Sequence, residues 1–133
     1  MSPVRLSIGE SADVTVKARN PWNDSGIELS AGAHYDFIVS GNQTWSDASI
    51  SCGADGYARR YLAMWEPFRR VPTADWFKLI GTIEQSTQNP IIIGSRLLDF
   101  SPSKSGRLYC FANDVRLMYW NNCGLITVTV TRK

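Results

Sequence analysis

Histidine, cysteine and an excess of either charge are scarce in this chain, and each scarcity excludes a kind of function. The single histidine, His34, stands beside Tyr35 at the start of an alternating segment, so a Ser-His-Asp or Cys-His hydrolase would rest on one strand-borne imidazole. The three cysteines, Cys52, Cys110 and Cys123, cannot all pair with one another, and none stands in a C-x-x-C or Cys/His cluster with zinc spacing. Cys110, between Tyr109 and Phe111, reads as a small buried apolar residue; the other arrangement open to it is a bridge to Cys52. With 14 basic against 12 acidic side chains the net charge is +2, too balanced for nucleic acid or an anionic membrane surface as the main partner. No stretch approaches the roughly 18 consecutive apolar residues of a membrane span, and the opening residues lack an apolar signal core. The chain is accordingly expected to be without a transmembrane segment, and cytoplasmic or exported without a classical signal peptide. Helical periodicity is missing as well, and no Gly-rich phosphate loop follows a strand and opens a helix, so nucleotide binding has no support.

What the chain has in quantity is short segments with a period of two. Residues 14–18, 35–40, 76–80, 107–112 and 125–131 alternate as strands with one buried face do. Shorter candidates at 27–29, 91–93 and 97–100 bring the count to about eight. Turn residues separate them at 20–26, 30–32, 40–42, Gly81, 89–90 and 101–106. Asp24 to Gly26 is read as reversing the chain before Ile27, and the glycosylation patterns Asn23-Asp-Ser25 and Asn42-Gln-Thr44 are both read as turns. At 133 residues, 44% hydrophobic and 20% charged, the composition is that of one folded domain spanning residues 1–133. The expected fold is all-β: a jelly-roll-like, galactose-binding-domain-like β-sandwich whose end loops are free to carry function.

Two loops stand out. Residues 51–75 set Arg59, Arg60, Arg69 and Arg70 among Tyr57, Tyr61, Trp65 and Phe68. The aromatics are expected to pin this long loop to the sandwich, with the arginines solvated or paired to Asp55, Glu66 and Asp75. The other loop, residues 113–124, gathers Asp114 with the amides of Asn113, Asn121 and Asn122. Calcium, a hard cation, takes roughly six to eight oxygen ligands, and a loop can supply them from carboxylate, amide and carbonyl groups. One carboxylate leaves a divalent ion electrophilic toward neutral oxygens such as vicinal sugar hydroxyls. Asn, Asp and Gly are also what any turn prefers, so loop composition alone leaves both readings open.

Phe111-Ala-Asn-Asp-Val115, followed by Tyr119-Trp-Asn-Asn-Cys-Gly124 and a closing strand, resembles the LecA-type (PA-I) calcium-dependent galactophilic lectin family and its bacterial relatives. Residues 20–29, Gly32-Ala-His-Tyr35, the segment 41–47 with Trp45, and Trp76-Phe-Lys-Leu-Ile-Gly81 fit the same pattern. The resemblance thus spans residues 14 to 131, with the last loop as its specific part. In that family an aspartate, two adjacent asparagines and two backbone carbonyls hold calcium, and the sugar completes the shell. Carried onto this chain, the resemblance implies Ca2+ bound by the side chains of Asp114, Asn121 and Asn122 and by the carbonyls of Met118 and Ala48, the latter in the turn after Trp45. It implies sugar contacts at Asp114, Val115 and Asn121; Asp47 adds a carboxylate beside Ala48 and is counted with the ligand-binding residues. The galactophilic lectins complete the sugar site with a histidine and a glutamine in the middle loop, and residues 51–75 contain neither. The implied partner is therefore a carbohydrate, galactose or another sugar.

The expectation is a calcium-dependent carbohydrate-binding module and not an enzyme. The alternative keeps the sandwich and drops the sugar, giving a protein-interaction or accessory module whose metal is structural or absent. Glycoside hydrolysis by a carboxylate pair from Asp47, Asp55, Glu66, Asp75 and Asp114 is a third reading that spacing does not decide. Trp120, Tyr119 and Trp65 are candidates for stacking on a sugar and equally for the core. By analogy with the family a homo-oligomer is expected, with residues 125–131 read as an edge strand able to pair across an interface. Because only the Met118 carbonyl is implied, Met118→Ala is expected to keep calcium affinity within about twofold of the parent in titration calorimetry; a loss of about tenfold would assign the side chain a part in the site.

Overall fold

The computed structural model describes residues 2–58 and 67–133, so Arg59, Arg60, Tyr61, Trp65 and Glu66 lie outside the described residues. Alternating sequence becomes two facing sheets. One runs, in spatial order, β1 (Val4–Arg5), β3 (Asn23–Leu29), β10 (Gly106–Ala112), β7 (Leu79–Ile83) and β8 (Ile91–Ile92). The other runs β6 (Ile50–Cys52), β5 (Trp45–Asp47), β11 (Asn122–Arg132), β4 (Tyr35–Ile38) and β9 (Arg96–Phe100), with β2 (Ser11–Lys17) also paired to β11. The architecture is the all-β sandwich read from the sequence.

The longest strand organises the second sheet. In β11 Ile126, Val128 and Val130 are fully buried, while Thr127, Thr129 and Thr131 between them are only partly covered. One edge of β11 pairs with β2 from Leu125 to Thr131. Along the other edge β4 and β5 follow in line, pairing with 129–132 and 122–124. The gap between them is spliced by a side chain: Gln43 accepts the Thr127 N–H at 2.7 Å and donates to the Thr127 carbonyl at 3.1 Å. The inward faces meet in one core that includes Val14, Val16, Phe37, Leu29, Leu79, Leu108 and Cys110. A smaller cluster of Val71, Ala74, Ile80 and Phe111, with Trp22 against it, covers the outer face of β7 and β10, so all five residues of β7 are buried.

Several expectations are corrected. About eight strands were expected, and the described residues form eleven; the three missed, β1, β5 and β6, are two or three residues long and carry no readable period. The strand expected at 76–80 begins at Leu79, because Phe77 adopts a left-handed conformation (φ 61°) and breaks the extended chain. Gly81 consequently lies inside a strand rather than at a turn, where a Cβ would come within 3.0 Å of the Ile93 side chain and 3.3 Å of Leu108. Asp24 to Gly26 does not reverse the chain: it bulges within β3, with Asp24 Oδ1 accepting the Gly26 N–H at 3.0 Å and the register to β10 shifting there. Residues 125–131 do not form an edge strand: β2 runs along one side, and on the other β4 and β5 pair with 129–132 and 122–124 of the same strand. The three cysteines are free, and Cys110 is the buried apolar residue expected of it.

Asn113, just past β10, ties the middle loop to the sandwich and so places the residues that follow it. Its side chain is fully buried, accepts the Val71 N–H at 3.0 Å, and donates to the carbonyls of Val71 (2.9 Å), Ala74 (3.0 Å) and Asp75 (3.1 Å). Its backbone carbonyl accepts the Phe77 N–H at 2.7 Å. Asn113→Ala orphans a buried donor and several acceptors at once; a loss of about 2–4 kcal/mol is expected in urea unfolding, and a loss below about 1 kcal/mol would remove the amide from this role.

Candidate functional site

The site loop is held by its backbone, which leaves side chains free. The Asp114 carbonyl accepts the Arg70 N–H at 3.1 Å, and Val115 forms a bridge to Arg69. Among the described residues neither arginine is found paired to Asp55 or Asp75; both lie against aromatic rings. Arg70 stacks 3.5 Å from the Phe111 ring centroid and 4.4 Å from that of Trp22, and donates to the Pro21 carbonyl at 2.6 Å and the Tyr119 hydroxyl at 2.9 Å. Arg69 is buried, 5.1 Å from the Trp76 centroid, and donates to the Pro72 carbonyl. Asp55 instead accepts from the Ser95 N–H and hydroxyl.

A 3-10 turn, Tyr119–Asn121, closes the loop and feeds β11. Tyr119 is core: it is 3% exposed and its hydroxyl donates to the Ala112 carbonyl at 2.6 Å. Trp120 is 67% exposed and free to meet a ligand or partner. Asn122 is the first residue of β11 rather than a loop residue, and it lies opposite Asp47 at the end of β5. Next to that pair, the Ala48 N–H donates to the Asn121 carbonyl at 3.1 Å, and Ala48 turns the chain toward β6 with φ at 53°. Such a conformation is unfavourable for alanine and is kept only where surrounding structure imposes it.

Asp114, Met118, Val115, Asp47 and Ala48 therefore converge, from two separated stretches of sequence, on the wall of one cavity of about 500 Å³. Asn121 and Asn122 are not on that wall: Asn122 pairs with Asp47 across the strands, and the Asn121 carbonyl accepts the Ala48 N–H. Residues that sequence reading did not assign to the site complete the wall: Ser49, Ile50, Tyr57, Trp76 and Leu117. Tyr57 donates its hydroxyl to Asp47 Oδ2; nothing local in its sequence announces that contact across ten positions. Asn113, grouped with the oxygen-rich loop by composition, is not part of the site, since its amide is wholly used in the tie to the middle loop.

The chemistry of the site lies in its unsatisfied oxygens. Asp114 Oδ1 accepts the Val115 N–H at 2.7 Å, but Oδ2 is buried and finds no hydrogen-bond partner among the described residues. The Asn122 amide donates to the Ala18 carbonyl at 3.1 Å, leaving its Oδ1 buried and unpartnered; Asn121 Oδ1 is in the same state. Among the described residues these three are the only buried side-chain oxygens without a partner. Orphaned acceptors of this kind cost free energy unless something electropositive meets them. Burial, and then the Asp47 carboxylate, push the Asp114 carboxyl from 3.8 to about 7, against the pull of the Val115 N–H. One or two carboxylates with amide and carbonyl oxygens suit a hard cation. No group of three or more His, Cys, Asp or Glu side chains is found among the described residues, so the donor set is not that of a zinc centre.

No protein-family model matches the chain, and no curated protein matches it. Eight chains of solved structures do. One of them, described as "EclA N-terminal domain; PllA-like lectin", aligns with a TM-score of 0.65 over 92% of this chain and 95% of its own, at 20% identity. The likeness shows that this chain has the fold of that lectin domain. No helix among the described residues is long and apolar enough to cross a membrane.

The raised Asp114 acid fixes a pH dependence. Between about pH 4 and 7 native Asp114 holds a proton that the unfolded chain has released, so its contribution to stability is complete below about 4 and is lost as pH rises through about 7. In chelator, the unfolding midpoint of Asp114→Asn minus that of the parent is expected to grow from pH 5 to pH 8; a difference that stays flat would mean that Asp114 ionises normally.

Proposed function

We propose that the chain is a calcium-dependent carbohydrate-binding domain, a divergent relative of the LecA-type galactophilic lectins, acting by binding and not by catalysis. The observation that carries this reading is the set of orphaned oxygens, Asp114 Oδ2, Asn121 Oδ1 and Asn122 Oδ1. They belong to the three side chains that the resemblance assigns to calcium, and no other buried side-chain oxygen among the described residues is left in that state. The carbonyls of Met118 and Ala48 would complete the protein's share of the shell, the strained Ala48 turn being the kind of local cost that a functional site retains.

Bound calcium would supply electrophilic positions that vicinal hydroxyls of a pyranose can fill. This chain's residues do the rest. Asp114, Val115 and Asn121 accept from or pack on the sugar, and the apolar walls at Trp76, Val115 and Met118 suit its C–H face. The similarity to a lectin domain supports the choice of carbohydrate as ligand class. Galactose is one candidate among sugars, because residues 51–75 lack the histidine and glutamine of the galactophilic site.

The test is thermal unfolding with excess calcium against excess chelator. A cation that binds only the native state, at about a hundred times its Kd, adds about 2.7 kcal/mol, a rise of roughly 10 °C for a domain of this size. The rise is expected in the parent and absent in Asp114→Asn, and a glycan array probed with calcium should then give retention that chelator abolishes. Calcium stabilisation without glycan retention would favour an accessory module with a structural metal; no calcium effect would overturn the reading.

A further inference from the structure

Asp47, counted from the sequence with the ligand-binding residues beside Ala48, is given a defined place by the strand pairing. It ends β5 directly across from Asn122, and the Ala48 N–H that follows is bonded to the Asn121 carbonyl. The strand register therefore sets Asp47 across from Asn122, whose side-chain oxygen lacks a partner, and next to the backbone of Asn121. Asp47 and Asp114 share the wall of the same cavity, and no Lys, Arg or His ion pair to either is found among the described residues. Two carboxylates facing one largely apolar space repel each other unless a cation lies between them.

Tyr57 fixes the geometry. It reaches the cavity from the middle loop, where its N–H donates to the Trp76 carbonyl at 2.8 Å and its ring lies against Phe77. Its hydroxyl donates to Asp47 Oδ2, and no hydrogen bond to Oδ1 is found among the described residues. A phenol held at its backbone and its ring is a rigid donor, so it can orient a carboxylate that sits on a three-residue strand.

Resting on the calcium reading above, we infer that Asp47 is a second carboxylate ligand of the cation and that Tyr57 is its positioning residue. With Asp114 the site then carries two negative charges, matching a divalent ion, where the family pattern supplies a single aspartate.

Titration calorimetry with calcium chloride tests this on the full chain, in parent, Asp47→Asn, Tyr57→Phe and Asp114→Asn. The runs are made in dilute buffer and again at about 1 M potassium chloride, where the Debye length of about 3 Å removes any remote charge effect. Asp47→Asn is expected to weaken calcium by about tenfold or more at both salt concentrations. Tyr57→Phe is expected to weaken it by about threefold, with an unfolding midpoint in chelator unchanged, since the ring and its packing remain. Calcium affinity in Asp47→Asn within about twofold of the parent, or a loss that vanishes in high salt, would overturn the ligand role while leaving the calcium reading intact. Unaltered affinity in Tyr57→Phe would overturn the positioning role alone. A parent that binds no calcium, indistinguishable from Asp114→Asn, would overturn both this inference and the reading it rests on.

Discussion

The amide of Asn113 is the point on which the rest of the molecule depends. Four hydrogen bonds from one buried side chain draw Val71, Ala74 and Asp75 onto the end of β10. That seam carries the second apolar cluster over Ile80 and Phe111, so β7 is covered on both faces. It also brings Arg69 and Arg70 to the backbone of Val115 and Asp114. A side-chain amide suits this junction because it supplies donors and an acceptor where the chain offers no regular ladder.

Beyond that seam, buried side-chain oxygens are treated in two ways. That of Asn23 accepts the Lys17 N–H at 2.9 Å. Those of Asp114 (Oδ2), Asn121 and Asn122 are left without partners among the described residues, and Asp114 holds its proton to a raised pH. A carboxyl is neutral in such a place until a cation makes the charged form the better one.

The sandwich was legible in the sequence wherever one face of a strand met the core and the other met water. Residues 107–112 and 125–131 alternate visibly and became β10 and the greater part of β11. Legibility failed where that contrast disappears: β7 is buried on both faces, and β5 and β6 are too short to show a period. Asp114, Asn121 and Asn122 stood out as oxygen-bearing types, but turns favour the same residues, and it was the resemblance of the whole loop that singled them out as cation ligands. Tyr57 and Trp76 were not singled out, since an aromatic in a long loop looks the same whether it lines a cavity or fills a gap. The reading of Arg70 failed for a related reason: its stacking on Phe111 and Trp22 depends on a fold-level contact that no local spacing encodes.

The backbone of the site loop is secured independently of the oxygens it presents. Asp114 is held through its carbonyl, and Asn121 through its carbonyl to the Ala48 turn, while the orphaned side-chain oxygens take part in no bond that supports the sandwich. On the binding reading proposed above, scaffold and recognition are thus separable in inheritance: a lineage built on this domain could exchange what positions 114 and 121 display without first having to reinvent the fold, and drift in ligand preference would be a matter of a few side chains rather than of architecture.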